Sequence, residues 1–265
     1  MLTKRGRVVV ALIVAVTLFN SADYAMASTS KPVNPMANAS AAPMGGTYLN
    51  VPIPSAVLTT PLFDTNGKAI TLNSFKGKFV VIAPFLTSCQ EICPMTSADM
   101  RAVAAAINTS GMGSQAQVLE ITVDPSRDTA SRLKAYQALF GDQSWTIAGG
   151  KAADLNRLWK FFGVYASKSP YSAADLKKLP VDWQTGKKNT YDVSHTDLVA
   201  IISPDQKWSY LDLGSPDIGK NKLPDSLKAF LDAAGLKNLI KPEQPTWTVA
   251  AVTSALSHLM GIKIG

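Results

Sequence analysis

Apolar and polar positions along this chain switch between a two-residue and a three-to-four-residue period, and the switches mark where strands give way to helices. The runs AVLTTPLF and KAITL flank Asp64-Thr65-Asn66-Gly67. Asn-Gly between two apolar runs supplies the left-handed turn that closes a hairpin, so an N-terminal β-hairpin is predicted. KFVVIAPFL (78–86) is almost continuously apolar, as a strand covered on both faces must be. Pro94 then predicts a helix start. Its fixed φ suits the first helical position, and it pushes the preceding residue away from helical dihedrals. Cys93 becomes the cap, and Gln90-Glu91-Ile92 a loop. Met100, Val103 and Ile107 recur on one helical face until Gly111 ends the helix.

QVLEITV (117–123) reads as the next strand, and Asp128 as the start of a second helix with Leu133, Tyr136 and Phe140 facing inward. WTIA (145–148) is a short strand, and LNRLWKFFG (155–163) a helix ending at a glycine. Residues 164–194 mix Lys, Asp, Ser and Pro without period, which predicts a long functional or flexible segment. DLVAIIS (197–203) and KWSYLDLG (207–214) form a second hairpin about Pro204. Pro224-Asp225 opens a last core helix with Leu227, Phe230 and Leu231. Strands alternating with helices at crossover length predict an α/β fold with a mixed central sheet. The folded domain is placed at 51–240. In the tail 241–265, Trp247, Val252, Leu256 and Leu259 share a helical stripe. This predicts a C-terminal extra helix packed back on the domain, because its polar face holds few of the basic residues that a membrane-surface helix carries.

The first fifty residues stand apart. Lys4, Arg5 and Arg7 precede the apolar run VVVALIVAVTLF and then Ala25-Met26-Ala27, the pattern of a secretory signal peptide over 1–27. The run is too short for the ~20 residues of a membrane span. No cysteine stands there to carry a lipid. Residues 28–50 are rich in Ser, Ala, Pro and Gly and read as a flexible linker. The mature protein is therefore expected outside the cytoplasm, in a periplasm or associated with the outer face of a membrane. The remaining composition, 46% hydrophobic and 17% charged, is that of an ordinary globular protein. The net charge of +7 is spread out apart from Lys177, Lys178, Lys187 and Lys188. This predicts a solvated surface and no nucleic-acid partner.

The candidate chemistry lies in LTSCQEICPMTS (86–97), which holds the chain's two cysteines, Cys89 and Cys93. Export to an oxidising compartment favours their pairing. A bridge closing so small a loop adds little stability, however, because the entropic gain grows with loop length. The pair sits between a strand and a helix N-terminus, where unpaired N–H groups and the helix dipole favour a thiolate. Thioredoxin-like proteins use this arrangement with two residues between the cysteines, and here there are three. The longer loop suits two sulfurs aimed at one soft ion. Two thiolates with an imidazole are ligands that Cu(I) favours. Of the two histidines, His258 lies in the tail and reads as a helix-surface residue. His195, in TYDVSHTDLVAII, precedes a strand that enters from the loop edge near the thiols.

The Cys-x-x-x-Cys-Pro segment after an apolar strand, VDPSRDT (123–129) heading the second helix, and one His before a late strand together resemble the SCO/SenC copper-chaperone family. The resemblance runs from about residue 50 to about 234. It implies a thioredoxin-like fold and copper, Cu(I) or Cu(II), held by Cys89, Cys93 and His195. It further implies delivery to a cuproenzyme client such as the dinuclear copper site of cytochrome c oxidase subunit II, with peripheral membrane contact. Asp124 is implied as a supporting group. Ser194 stands where family members often carry Asp, so Asp192 or Asp197 is the expected partner of the imidazole. Ligand thiols must be reduced, which implies a thiol reductant as a second partner. The main reading is thus a metallochaperone rather than an enzyme. Its alternative is a thiol–disulfide oxidoreductase using Cys89 and Cys93 as the redox pair. A peroxidase would need Thr87 and Arg127 beside one activated cysteine.

Overall fold

The computed structural model describes residues 38–141 and 144–264. The predicted signal peptide and the linker up to residue 37 lie outside the described residues. The rest of the linker is not a tether. Ser40–Ala41 forms β1 and Thr47–Pro52 forms β2, paired antiparallel, and Leu49 and Val51 of β2 are buried. The domain therefore begins before residue 51. A run of Ser, Ala, Pro and Gly up to residue 46 obscures a six-residue strand of ordinary alternation.

The short helix α1 (Ser55–Leu58) leads to β3 (Leu62–Asp64) and β4 (Ala69–Ile70), the predicted hairpin around Asn66-Gly67. Gly67 takes a φ of +77° there, where a side chain would be strained. The apolar run becomes β5 (Phe79–Phe85), buried at every position after Phe79. The helix that follows, α2 (Cys93–Thr109), starts one residue earlier than predicted. Ile92 is its cap and Pro94 its second residue, so Cys93 is the first helical residue and not the cap. Proline is tolerated throughout the first turn because no N–H there has an intrahelical acceptor.

Next come β6 (Ala116–Thr122), α3 (Ala130–Leu139), β7 (Thr146–Gly150) and α4 (Ala152–Phe161). Thr129 caps α3 through its hydroxyl, which accepts from Arg132 N, so the helix starts two residues after Asp128, the predicted start. The Asp128 carboxylate is buried and accepts from the hydroxyls of Thr87 and Thr122. The irregular stretch 164–194 contains a hairpin of its own, β8 (Ala166–Pro170) and β9 (Tyr191–His195), with α5 (Ala173–Lys178) between them. All five residues of β8 are exposed, which is why no apolar period reveals it.

The second predicted hairpin is β10 (Leu198–Ile202) with β11 (Lys207–Leu213). The chain closes with β12 (Ser215–Pro216), α6 (Asp225–Phe230), α7 (Ala233–Ile240), β13 (Thr246–Trp247) and α8 (Val249–Met260). Among the described residues the central sheet runs β1-β2-β11-β10-β5-β6-β7-β3-β4, while β8–β9 forms a separate ribbon. The pairs β5–β6 and β6–β7 are parallel, and β10–β5 and β3–β7 antiparallel, giving the mixed sheet expected. Helix α2 packs on β5 and β6, and α8 packs on α2 with Val252, Ala255 and Leu256 buried. The tail is part of the core. Among the described residues no helix is long and apolar enough to cross a membrane.

Candidate metal and thiol site

The central strand β5 ends at Phe85, and Leu86–Ile92 turn the chain into α2 at one end of the sheet. Cys89 and Cys93 therefore flank the start of α2, one in the loop and one in the first turn. Cys89 Sγ lies 3.4 Å from Ile92 N and 3.3 Å from Cys93 N, so two backbone N–H groups point at one sulfur. Both cysteines are free thiols; Cys89 is partly exposed and Cys93 is buried.

The environment makes the two sulfurs unequal. A hydrogen bond from the Cys93 thiol lowers the Cys89 pKa, and the backbone N–H groups and His195 add to the effect against the opposing cost of burial. Burial pushes Cys93 well up, and its bond to Cys89 and the neighbouring charges raise it further. The pair accordingly holds one accessible, readily ionised sulfur backed by a buried thiol.

His195 arrives from the end of β9. Its Nε2 lies 3.3 Å from Cys93 Sγ across 102 residues of sequence. On the other side of the ring, Nδ1 donates to the Thr196 carbonyl at 3.1 Å, and Asp197 Oδ1 stands 3.5 Å away. A proton on Nδ1 leaves the Nε2 lone pair facing the sulfur. Burial raises the Asp197 pKa, with the imidazole opposing. Among the described residues no three His, Cys, Asp or Glu side chains are already gathered as a ligand set. The fold supplies a Cys93–His195 contact, with Cys89 joined to it through Cys93.

The expected supporting residues divide. Asp197 faces the imidazole, with the Thr196 carbonyl as its nearer partner. Asp192 does not reach the ring, and its carboxylate accepts from Val193 N at 2.8 Å. Asp124 is fully buried; it bonds Arg127, and both of its oxygens lie 3.0 Å from the Tyr191 hydroxyl. Lys168 of β8 stands 3.4 Å from it. Asp124 thus fastens the β8–β9 ribbon to the start of α3, four residues before His195. Thr87 and Arg127 are spent on Asp128 and Asp124 rather than on a sulfur, which removes the support for a peroxidase.

Sequence reasoning missed the groups that fix the cysteine loop. Arg132 reaches Thr87, Ser88, Asp182 and Gln184. Trp183 Nε1 donates to the Thr87 carbonyl, and Gln90 Nε2 to those of Pro180 and Phe230. Asp128 was noticed in VDPSRDT only as the start of a helix, and its hold on Thr87 was not foreseen. The others lie 44 to 140 residues from their partners, beyond any spacing argument.

Residues 60–217 match the SCO1/SenC family. The chain belongs to that family. Its fold is the thioredoxin-like α/β arrangement with a mixed central sheet, as in a SCO1/SenC family lipoprotein from Bacillus anthracis. That structure superposes with a TM-score of 0.50 at 20% identity, over 69% of this chain and 95% of the other. The structure of Bradyrhizobium japonicum ScoI with copper bound is 26% identical, with a TM-score of 0.48 over 65% of this chain and 97% of the other. A putative copper-binding protein of Stutzerimonas stutzeri is 28% identical over 59% of this chain and 69% of its own length. Protein sco1 of Schizosaccharomyces pombe is 29% identical over 56% of this chain. The match spans about half of that relative's length, 51%.

Proposed function

We propose that this protein binds a copper ion through Cys89, Cys93 and His195. It passes the ion by ligand exchange to a cuproenzyme, such as the dinuclear copper site of cytochrome c oxidase subunit II, outside the cytoplasm. The contact between Cys93 Sγ and His195 Nε2 carries the reading. A long chain excursion ends with an imidazole lone pair on a buried sulfur, and soft thiolates with imidazole suit copper better than carboxylate-seeking ions. Family membership and relatives named for copper support the choice of metal. Cys89, the partly exposed and more acidic sulfur, is the donor that an acceptor's ligands meet first. Binding releases the Cys93 proton, so uptake is coupled to pH and requires reduced thiols.

The test is titration of the reduced protein with Cu(I) and with Cu(II), against His195→Ala and the Cys89→Ser/Cys93→Ser double variant. Wild type is expected to hold one ion, His195→Ala to hold it more weakly, and the double variant to lose it. Equal binding by wild type and the double variant would refute the reading. A second reading, a thiol–disulfide oxidoreductase, is favoured by the inequality of the sulfurs. The accessible thiolate of Cys89 would attack a target disulfide and buried Cys93 would resolve the mixed disulfide. Insulin reduction at a thioredoxin-like rate would establish it.

A further inference from the structure

Helix α7 lies beyond the residues that match the family, yet its first turn touches the loop between the two cysteines. Gly235 is buried inside this helix without a left-handed φ, so turn geometry does not explain a residue that weakens a helix. Close approach does. A Cβ at position 235 would run into the Gln90 carbonyl oxygen and stand 3.1 Å from Glu91 Cα. Both are backbone atoms and cannot swing aside. The Gln90 carbonyl also accepts from Asp232 N at 3.0 Å, at the cap of the same helix. The Gln90 side chain, itself buried, donates to the Pro180 carbonyl at 3.2 Å and the Phe230 carbonyl at 3.4 Å. The loop is thereby held by two segments distant in sequence, at residue 180 and at residues 230–235.

We propose that the first turn of α7, with Gly235 as its contact point and Gln90 as the gripped residue, is a positioning device. It holds the Cys89–Cys93 loop in the shape that keeps the two sulfurs as thiols. This inference rests on the metal-binding reading only for its purpose, since an open dithiol is the form that takes up copper. The held loop aims the N–H groups of Ile92 and Cys93 at Cys89 Sγ, and these bonds are lost when that sulfur joins a disulfide. Displacing the loop removes the advantage of the dithiol and favours the bridge. In that step Cys89 and Cys93 each give up a proton and an electron to form the S–S bond. Glutathione disulfide takes both protons and both electrons and leaves as two glutathione thiols.

The experiment equilibrates the whole chain with glutathione buffers of graded ratio and counts free thiols in wild type, Gly235→Ala and Gln90→Leu. Gln90→Leu adds no clash in α7 and only cuts the two side-chain bonds, so it serves if Gly235→Ala folds poorly. Both variants are expected to shift the equilibrium toward the disulfide, by on the order of tenfold for Gly235→Ala and less for Gln90→Leu. Variants that melt at lower temperature but keep the wild-type thiol equilibrium would show that α7 merely packs there, and would overturn the proposal. Cu(I) binding is measured separately. A wild type that takes up no Cu(I) defeats the copper reading, while the glutathione equilibrium still decides the role of α7.

Discussion

Glu120 sits in the parallel part of the central sheet with no cation beside it among the described residues, and replacing it with glutamine should make the protein more stable at neutral pH. The residue is fully buried on β6; Ser97 Oγ lies 2.9 Å from Oε1, and Trp145 Nε1 donates to Oε2 at 2.6 Å. Burial pushes its pKa from 4.5 to about 8, with those two hydrogen bonds opposing. Folded protein therefore keeps a proton that the unfolded chain releases above about pH 4.5. The stabilisation is complete below that pH and is lost as pH rises through about 8, at about 1.4 kcal/mol per pH unit.

At pH 7 this comes to about 3 kcal/mol, and at pH 5 to about 1 kcal/mol. Glutamine copies the protonated acid. Its oxygen accepts from Trp145, while its amide donates to Ser97 Oγ, which can accept from the Tyr136 hydroxyl as well. Urea unfolding at pH 5, 6, 7 and 8 should then show Glu120→Gln gaining on wild type by about 2 kcal/mol between pH 5 and 7. Asp99, raised to about 7, and Asp128, raised to about 6, are both buried, and they keep some slope of the same sign in both proteins. A stability difference that does not change with pH would mean that the folded carboxylate is ionised, and the burial argument would fail.

Other outcomes follow from the same geometry. Asp124→Ala should cost roughly 3–5 kcal/mol, because it leaves Arg127 partly buried without its carboxylate; thermal unfolding measures this, and amide exchange at Val193 should accelerate with it. Sub-stoichiometric alkylation of the reduced protein at neutral pH, followed by peptide mapping, should label Cys89 well ahead of Cys93, since Cys93 is buried with its pKa raised. Equal labelling would contradict the inequality of the sulfurs. Leu256→Ala, in the fully buried stripe of α8, should lower unfolding free energy by about 2–5 kcal/mol. A loss below about 0.5 kcal/mol would return the tail to the status of an appendage.

What could be read from the sequence was whatever has a short-range cause. The strand 79–85, the helix after Pro94, both hairpins of the main sheet and the apolar stripe of α8 each follow from a local period or turn residue. Strand β8 could not be read, because Ala-Ser-Lys-Ser-Pro is exposed along its whole length and carries no alternation. At residues 128–129, Asp is by itself a somewhat better cap than Thr. Burial of Asp128 under Thr87 and Thr122 decided the matter for Thr129, and that is a tertiary fact. The candidate site was legible as residue types and not as an arrangement. Spacing alone does not bring His195 to Cys93, and it does not tell that Asp197, in the link between β9 and β10, faces the ring while Asp192, inside β9, bonds Val193 N. The grip on Gln90 joins residues 90, 180, 230 and 235, and no pattern within the chain links them.

The ribbon carrying His195 meets the body of the molecule at Tyr165 and Thr196 as well as at Asp124. Thr196 N donates to the Tyr165 carbonyl at 3.0 Å, and Tyr165 N to Thr196 Oγ1 at 3.2 Å. The sulfurs, in contrast, are rooted in the central strand and a seventeen-residue helix. An ion shared by Cys89, Cys93 and His195 would lie between two separately anchored pieces of the fold. On the copper reading proposed above, loosening the ribbon at Asp124 should weaken the imidazole's share of the hold and leave that of the sulfurs intact.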